Sequence, residues 1–132
     1  MNTNKTGRKE GPLQEEGYQL MSAVFEVHTF NGGGLAEEVY QESLEIELEL
    51  RGIPFRSKQE IAIFYKDREL KKRYIPDLYV FDEIIVELKA VSQLLPEHMA
   101  QLMNYMRLTK KRVGYLINFG PIGAVEWKRI VI

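Results

Sequence analysis

The chain has 132 residues, 45% apolar and 28% charged, with a net charge of −1 and no cysteine. That length suits one domain with a real core, and the composition is ordinary for a globular protein. The missing cysteines exclude disulfides and thiolate zinc sites and suit a reducing cytoplasm. The near-zero charge excludes an overall basic field, so any contact with nucleic acid must come from local patches. No apolar run is long enough to span a bilayer and the N-terminus shows no hydrophobic signal region, so no membrane contact is expected.

Residues 1–11 (MNTNKTGRKEG) are polar, hold two glycines and lack periodicity, so a disordered tail is expected there, with residues 12–132 as a single domain. From Pro12 a helix is predicted, its apolar stripe running through Leu13, Leu20, Met21, Val24, Phe25, Val27 and His28. His28 on that face reads as a core histidine rather than a ligand. Asn31-Gly32-Gly33-Gly34 breaks the pattern, opening positive φ and close backbone approach. A second helix is expected from about Leu35 to Leu50, with Val39, Tyr40, Leu44 and Leu48 inward and Gly52 and Pro54 ending it.

Phe55 to Tyr65, about Leu70 to Phe81, and Ile84 to Val91 then read as three strands. Short turns at Lys66-Asp67 and Asp82-Glu83 make them an antiparallel meander. Pro96 marks the start of a helix to about Leu108, with Met99, Leu102, Met103 and Met106 as its core stripe. Val113 to Phe119 and Ala124 to Ile132 are further strands. The order predicts an α/β sandwich, a central mixed β-sheet containing an antiparallel meander and flanked by helices.

Within the third strand, alternation puts Glu87 and Lys89 on one face and Val86, Leu88 and Ala90 on the other. Charges on an inner strand need a partner or a metal, because stripping their water costs several kcal/mol. The register of the hairpin decides what else is near. A two-residue loop at Asp82-Glu83 makes opposite residues sum to about 165 and separates Asp77 from Glu87 by face. A three-residue loop centred on Asp82, or a bulge, sets Asp77 opposite Glu87, about 4.5–5.5 Å apart at Cβ, with Lys89 on the same face. Both registers suit the residues. In the second, two hard oxygen donors fit Mg²⁺ and a phosphate ligand, and the lysine is placed to position or deprotonate water. The competing reading is a structural salt bridge from Asp77 or Glu87 to Lys89. Buried ion pairs stabilise poorly beside apolar packing, which favours the functional reading.

Pro76-Asp77…Glu87-Leu88-Lys89 resembles the signature of the PD-(D/E)XK nuclease superfamily. Gly34, Glu37 and Tyr40 stand at the spacing of the GxxExxY family, a small single-domain branch of it. Segments Gln101–Thr109 and Gly114–Gly120 are also similar to that family, so the resemblance extends over residues 12–132. It implies a restriction-endonuclease-like fold and a divalent-metal-dependent nuclease hydrolysing phosphodiester bonds of DNA or RNA, with Mg²⁺ or Mn²⁺ as cofactor. It further implies that Asp77 and Glu87 are metal ligands, that the backbone carbonyl of Leu88 adds an oxygen, and that Lys89 is the catalytic lysine. Glu37 matches an acid that reaches the metal directly or through water. Gln101 and Tyr105 match a QxxxY motif that lines the active site and touches substrate.

Gln101 and Tyr105, four apart, do share one helical face beside the core stripe. The plain alternative is a backbone-capping Gln101 and an ordinary half-buried Tyr105. His98, alone at a helix start, stands as a weak candidate for substrate contact. Lys71-Lys72-Arg73 and Lys110-Lys111-Arg112 flank site-bearing segments and are the local patches available for phosphates. Specificity in so small a domain would come from loops, from a homo-oligomer or from a protein partner. A fold does not determine an activity, so the alternative function is a non-catalytic nucleic-acid-binding or protein-interaction module that keeps the nuclease fold.

Overall fold

The computed structural model describes residues 11–132; residues 1–10, on which nearly all of the expected tail falls, lie outside the described part. Helix α1 spans Gln14–Asn31 and buries Leu20, Ala23, Val24 and Val27. It ends at Gly32, whose φ of 76° is the left-handed stop that a glycine takes most easily. Helix α2 spans Glu37–Leu50 and buries Tyr40, Leu44 and Leu48, a strict i, i+4 row. Val39, expected inward, is instead 43% exposed, because it sits one helical step off that row.

Neither of the two long strands expected between residues 55 and 81 is continuous. The first is broken into β1 (Phe55–Ser57) and β2 (Ile61–Tyr65), the second into β3 (Arg68–Tyr74) and β4 (Leu78–Val80). Pro76 lacks an N–H for a ladder, which interrupts the second strand. Lys58 interrupts the first with a φ of 54°. The register nevertheless survives the break: Phe55 pairs with Val80 and Ile61 with Tyr74, the same index sum on either side. The expected meander is therefore present, but its first hairpin bends into two sheets at Lys58–Glu60 and Ile75–Asp77.

β5 (Ile84–Lys89) pairs antiparallel with β4, Val80 against Ile84 and Leu78 against Val86. The connecting loop is Phe81-Asp82-Glu83, closed by the Glu83 N–H on the Val80 carbonyl at 3.2 Å. Of the two registers open to the sequence, this is the one that continues to Asp77 opposite Glu87. After β5, α3 (Pro96–Thr109) crosses over to β6 (Val113–Asn118), which runs parallel to β5, and β7 (Glu126–Val131) closes the far edge.

The result is a mixed five-stranded sheet ordered β1-β4-β5-β6-β7, with β2-β3 as a separate hairpin. On one face, α1 and α2 cover Ile84, Val86, Leu88, Tyr115 and Ile117. On the other, Leu102 and Met106 of α3, with Ile63 and Tyr74 of the hairpin, cover Tyr79, Ile85, Leu116 and Ile130. No helix among the described residues is long and apolar enough to cross a membrane.

Candidate active site

The end of β5 is where charge collects, because β4 starts only at Leu78 and leaves the last residues of β5 without a strand partner on that side. Asp77 fills the gap with its side chain. Its Oδ2 accepts the Leu88 N–H at 2.8 Å, and its own N–H points to Glu87 Oε1 at 3.4 Å. A strand residue presents its N–H and C=O to the same edge, so the Leu88 carbonyl faces the side on which Asp77 sits. Asp77 Oδ1 is paired at 2.6 Å with Lys58 Nζ. Lys58 is brought there by the continued hairpin register, which sets it opposite Asp77, with its N–H toward the Asp77 carbonyl at 3.3 Å.

Glu87 and Lys89 share the α3-side face with Ile85, as strand alternation requires. The Tyr74 hydroxyl donates to Glu87 Oε2, and the Tyr74 ring stacks on Tyr105. Burial pushes the Glu87 carboxyl up to about 7; the Tyr74 hydrogen bond works against that shift and the Asp77 charge adds to it. Burial likewise drives the Tyr74 hydroxyl upward, with the Glu87 charge in support, so it stays a donor. Lys89 belongs to none of the ion pairs among the described residues, so the structural salt bridge to Asp77 or Glu87 is not what the lysine forms.

Glu37 opens α2, where the exposed N–H groups favour a carboxylate. By area it is an exposed residue, yet the protein around its carboxyl is enough to raise it above the usual range. Burial is the largest cause and the Asp77 charge the next, while Lys89 and Lys58 pull the other way. Glu37 therefore lies in the same electrostatic neighbourhood as Asp77, Lys58 and Lys89. Tyr40 holds this helix start in place: its hydroxyl donates to Gly32 O at 2.6 Å and accepts the Leu35 N–H at 3.0 Å. Its ring stacks on Phe119 at 4.6 Å. Gly33 packs so closely on Pro121 that a Cβ there would overlap its carbonyl.

Three contributors were not singled out from sequence. Lys58 needed the broken hairpin, and Tyr74 needed the pairing across it. Gln41 sits one turn beyond Glu37, a spacing that a search around Glu37 would have picked up. Its Nε2 donates to the Asp77 carbonyl at 2.9 Å, while its Oε1 is buried with no hydrogen-bond partner among the described residues. Behind the site, fully buried Asn118 pairs with Lys89 across β5 and β6 and binds the next turn, accepting from Val91 N–H and Gly120 N–H and donating to Val91 O.

Gln101 and Tyr105 line one shallow groove on α3 with Ile63 and Asn104. Tyr105 reaches Glu87 only through Tyr74, and Gln101 is exposed. His98 accepts the Leu95 N–H at 3.0 Å and caps α3. His28 is buried, bonded at 2.8 Å to the Pro121 carbonyl, as a core histidine should be. Of the two basic clusters, Lys71 and Lys72 are exposed on β3 just ahead of Tyr74. Lys110–Arg112 is at the wrong end of the sheet: it precedes Val113, which pairs with Ile84, five residues or about 16 Å along β5 from Lys89. There it shares a groove with Asp82 and Glu83.

Among the described residues no group of three acidic or histidine side chains is drawn together closely enough to hold a metal ion as it stands. The chemistry of the donors does fit one. Asp77, Glu87 and the Leu88 carbonyl offer only hard oxygens, the donor type a divalent cation such as Mg²⁺ takes, and the Lys58 ammonium already marks Asp77 Oδ1 as a cation position.

Comparison with known proteins agrees with this architecture. A solved structure described as "Crystal structure of SSO0001" superposes with a TM-score of 0.57 at 19% sequence identity, over 90% of this chain. The chain spans 59% of the length of that one, and the likeness is one of fold. No curated protein matches significantly. A family model for the PD-(D/E)XK nuclease superfamily, whose members typically use a divalent metal, matches residues 14–130. The mixed sheet with its flanking helices is consistent with the restriction-endonuclease-like fold of that group, and the chain belongs to the PD-(D/E)XK nuclease superfamily.

Proposed function

We propose that the protein is a divalent-metal-dependent nuclease of the GxxExxY branch, hydrolysing phosphodiester bonds of DNA or RNA, with residues 12–132 as its single domain. The reading rests on one observation: the hairpin register carries Asp77 to a position opposite Glu87, with Lys89 on the same face and in no ion pair among the described residues. Asp77, Glu87 and the Leu88 carbonyl would hold Mg²⁺ or Mn²⁺, with Glu37 joining directly or through water. Bound there, the cation supplies Lewis-acid polarisation of a phosphodiester oxygen and of a water.

The chain's own groups divide the remaining work. Lys89 presents an ammonium that orients the attacking water or balances charge on the phosphate. Glu37, held above its usual range by burial and by the Asp77 charge, stands at the start of α2 within reach of the same charges. Gln101 and Tyr105 form a wall for substrate, with Lys71 and Lys72 exposed on β3 just ahead of Tyr74, the ring on which Tyr105 stacks. The cysteine-free composition suits the cytoplasm as its setting.

The test is a Mg²⁺ and Mn²⁺ titration with single- and double-stranded oligonucleotides. Metal-dependent cleavage by the wild type, lost in Lys89→Ala, is expected; identical behaviour of the two at every metal concentration rejects the nuclease reading. The second reading, a module that binds without turnover, draws on Lys58 and Tyr74 already engaging the carboxylates. It predicts oligonucleotide or protein binding that Mn²⁺ leaves unchanged.

A further inference from the structure

We propose that Lys58 is an exchangeable cation. It neutralises Asp77 in the metal-free protein, and when a divalent ion takes Asp77 the freed ammonium binds a phosphate of the nucleic acid. This rests on the nuclease reading above and goes further by naming a phosphate-binding residue outside the motif that suggested that reading.

Three observations carry it. First, Lys58 Nζ occupies Asp77 Oδ1 at 2.6 Å, a position a metal ion would need, so the two cations compete for one oxygen. Second, Asp77 does not need the lysine to stay in place. Its Oδ2 holds the Leu88 N–H, its N–H faces Glu87, and its carbonyl accepts from Gln41. Third, the Lys58 side chain is 55% exposed against 12% for Asp77, so its ammonium can leave for solvent or substrate at little cost. Its backbone is meanwhile fixed by the left-handed turn between β1 and β2, which keeps the swing local.

Charge accounting points the same way. Glu37, Asp77 and Glu87 against Lys58 and Lys89 leave the ionised cluster with one negative charge, which repels a phosphodiester. With a divalent ion bound and Lys58 released, the three carboxylates and Lys89 sum with the ion to zero, so the site neither holds the lysine by net charge nor repels a phosphate.

The experiment compares wild type, Lys58→Met and Lys58→Arg by Mn²⁺ calorimetry. Oligonucleotide anisotropy in saturating Mn²⁺ follows, in a Lys89→Met background that removes turnover. Thermal melting checks that each variant folds. Lys58→Met is expected to bind Mn²⁺ roughly three- to ten-fold tighter, because a competitor is gone. Its oligonucleotide affinity should fall roughly five- to ten-fold, with a salt dependence shallower by about one phosphate contact. Lys58→Arg should bind Mn²⁺ more weakly, since its fork grips a carboxylate better, and should keep the oligonucleotide. Unchanged or weaker Mn²⁺ binding in Lys58→Met makes the lysine a prop and overturns the exchange; unchanged oligonucleotide binding overturns the phosphate contact. If the wild type binds Mn²⁺ and cleaves, either result leaves the nuclease reading intact. If the wild type binds no Mn²⁺, both fall together.

Discussion

Tyr105 lies flat against Tyr74, ring centroids 4.1 Å apart and planes within 7°, while the Tyr74 hydroxyl donates to Glu87. One face of Tyr105 is thereby used to set an acid in position. Its bearing on the site is that of an outer layer, with Tyr74 between it and the carboxylate. Tyr74→Phe keeps the stack and deletes the hydrogen bond. Because that bond favours the charged carboxylate, its loss should raise the Glu87 midpoint above about 7. Carboxyl-resolved NMR titration reads this directly; a midpoint that stays or falls removes Tyr74 from its positioning role. Tyr105→Ala should shift the same midpoint less, because the hydroxyl remains.

The raised Glu87 midpoint also makes a statement about stability. A carboxyl lifted from 4.5 to about 7 binds its proton more tightly in the folded chain than in the unfolded one. Between those values the folded state holds more protons, so stability falls as pH rises through the window and levels off above it. For one group the fall is on the order of 3 kcal/mol at most. Urea unfolding at pH 5, 6, 7 and 8 should show it in the wild type, and Glu87→Gln should flatten it. A slope that is equally steep in the variant would assign it to other groups.

The α/β pattern and the faces of the third predicted strand were legible because both rest on side-chain periodicity, and Glu87 and Lys89 emerged from alternation alone. The hairpin register was legible only as a pair of options, since it depends on one loop residue. What the residues hid is the break at Lys58. Within FRSKQEIAIFY the polar run at residues 56–60 was a signal that the expectation of a continuous strand overlooked, whereas a lysine at a φ of 54° has no local signature. Pro76 did carry a signal, as a residue without a ladder donor inside a predicted strand. The misplaced role of Lys110–Arg112 has a topological cause. Its distance from Lys89 follows from the parallel pairing of β5 and β6, which no local stretch encodes.

Tyr40 should matter to stability more than to chemistry directly. It is fully buried, stacked on Phe119, and its hydroxyl ties both ends of the glycine loop that precedes Glu37. Tyr40→Phe removes both hydrogen bonds, to the part-buried Gly32 carbonyl and Leu35 N–H, an expected loss of about 1 kcal/mol in urea unfolding. Faster amide exchange at Leu35 should accompany it. A variant as stable as wild type with unchanged exchange would show that the loop is held by the helix contacts alone.

Asn118 is the residue whose truncation should damage the Lys89 end of β5 from behind. Its side chain is fully buried and bonds to Val91 N–H, Val91 O, Gly120 N–H and Glu126, so it organises the turn that leaves the strand. Gly120 packs against the same turn, closely enough that a Cβ would overlap the Val91 carbonyl. Asn118→Ala leaves part-buried backbone groups of Val91 and Gly120 without their partner and opens a small void, for which about 1–3 kcal/mol of destabilisation is expected. Asn118→Asp keeps the acceptor for both N–H groups but places a negative charge opposite the Val91 carbonyl and beside Glu126, so it should not rescue stability at pH 7. Measured by unfolding at pH 5 and pH 7, the aspartate variant should recover part of its stability at the lower value, where its carboxyl can carry the proton that the asparagine amide supplies. If both variants unfold like wild type at both pH values, the turn after Lys89 is held by the sheet pairing, and Asn118 has no part in positioning that lysine.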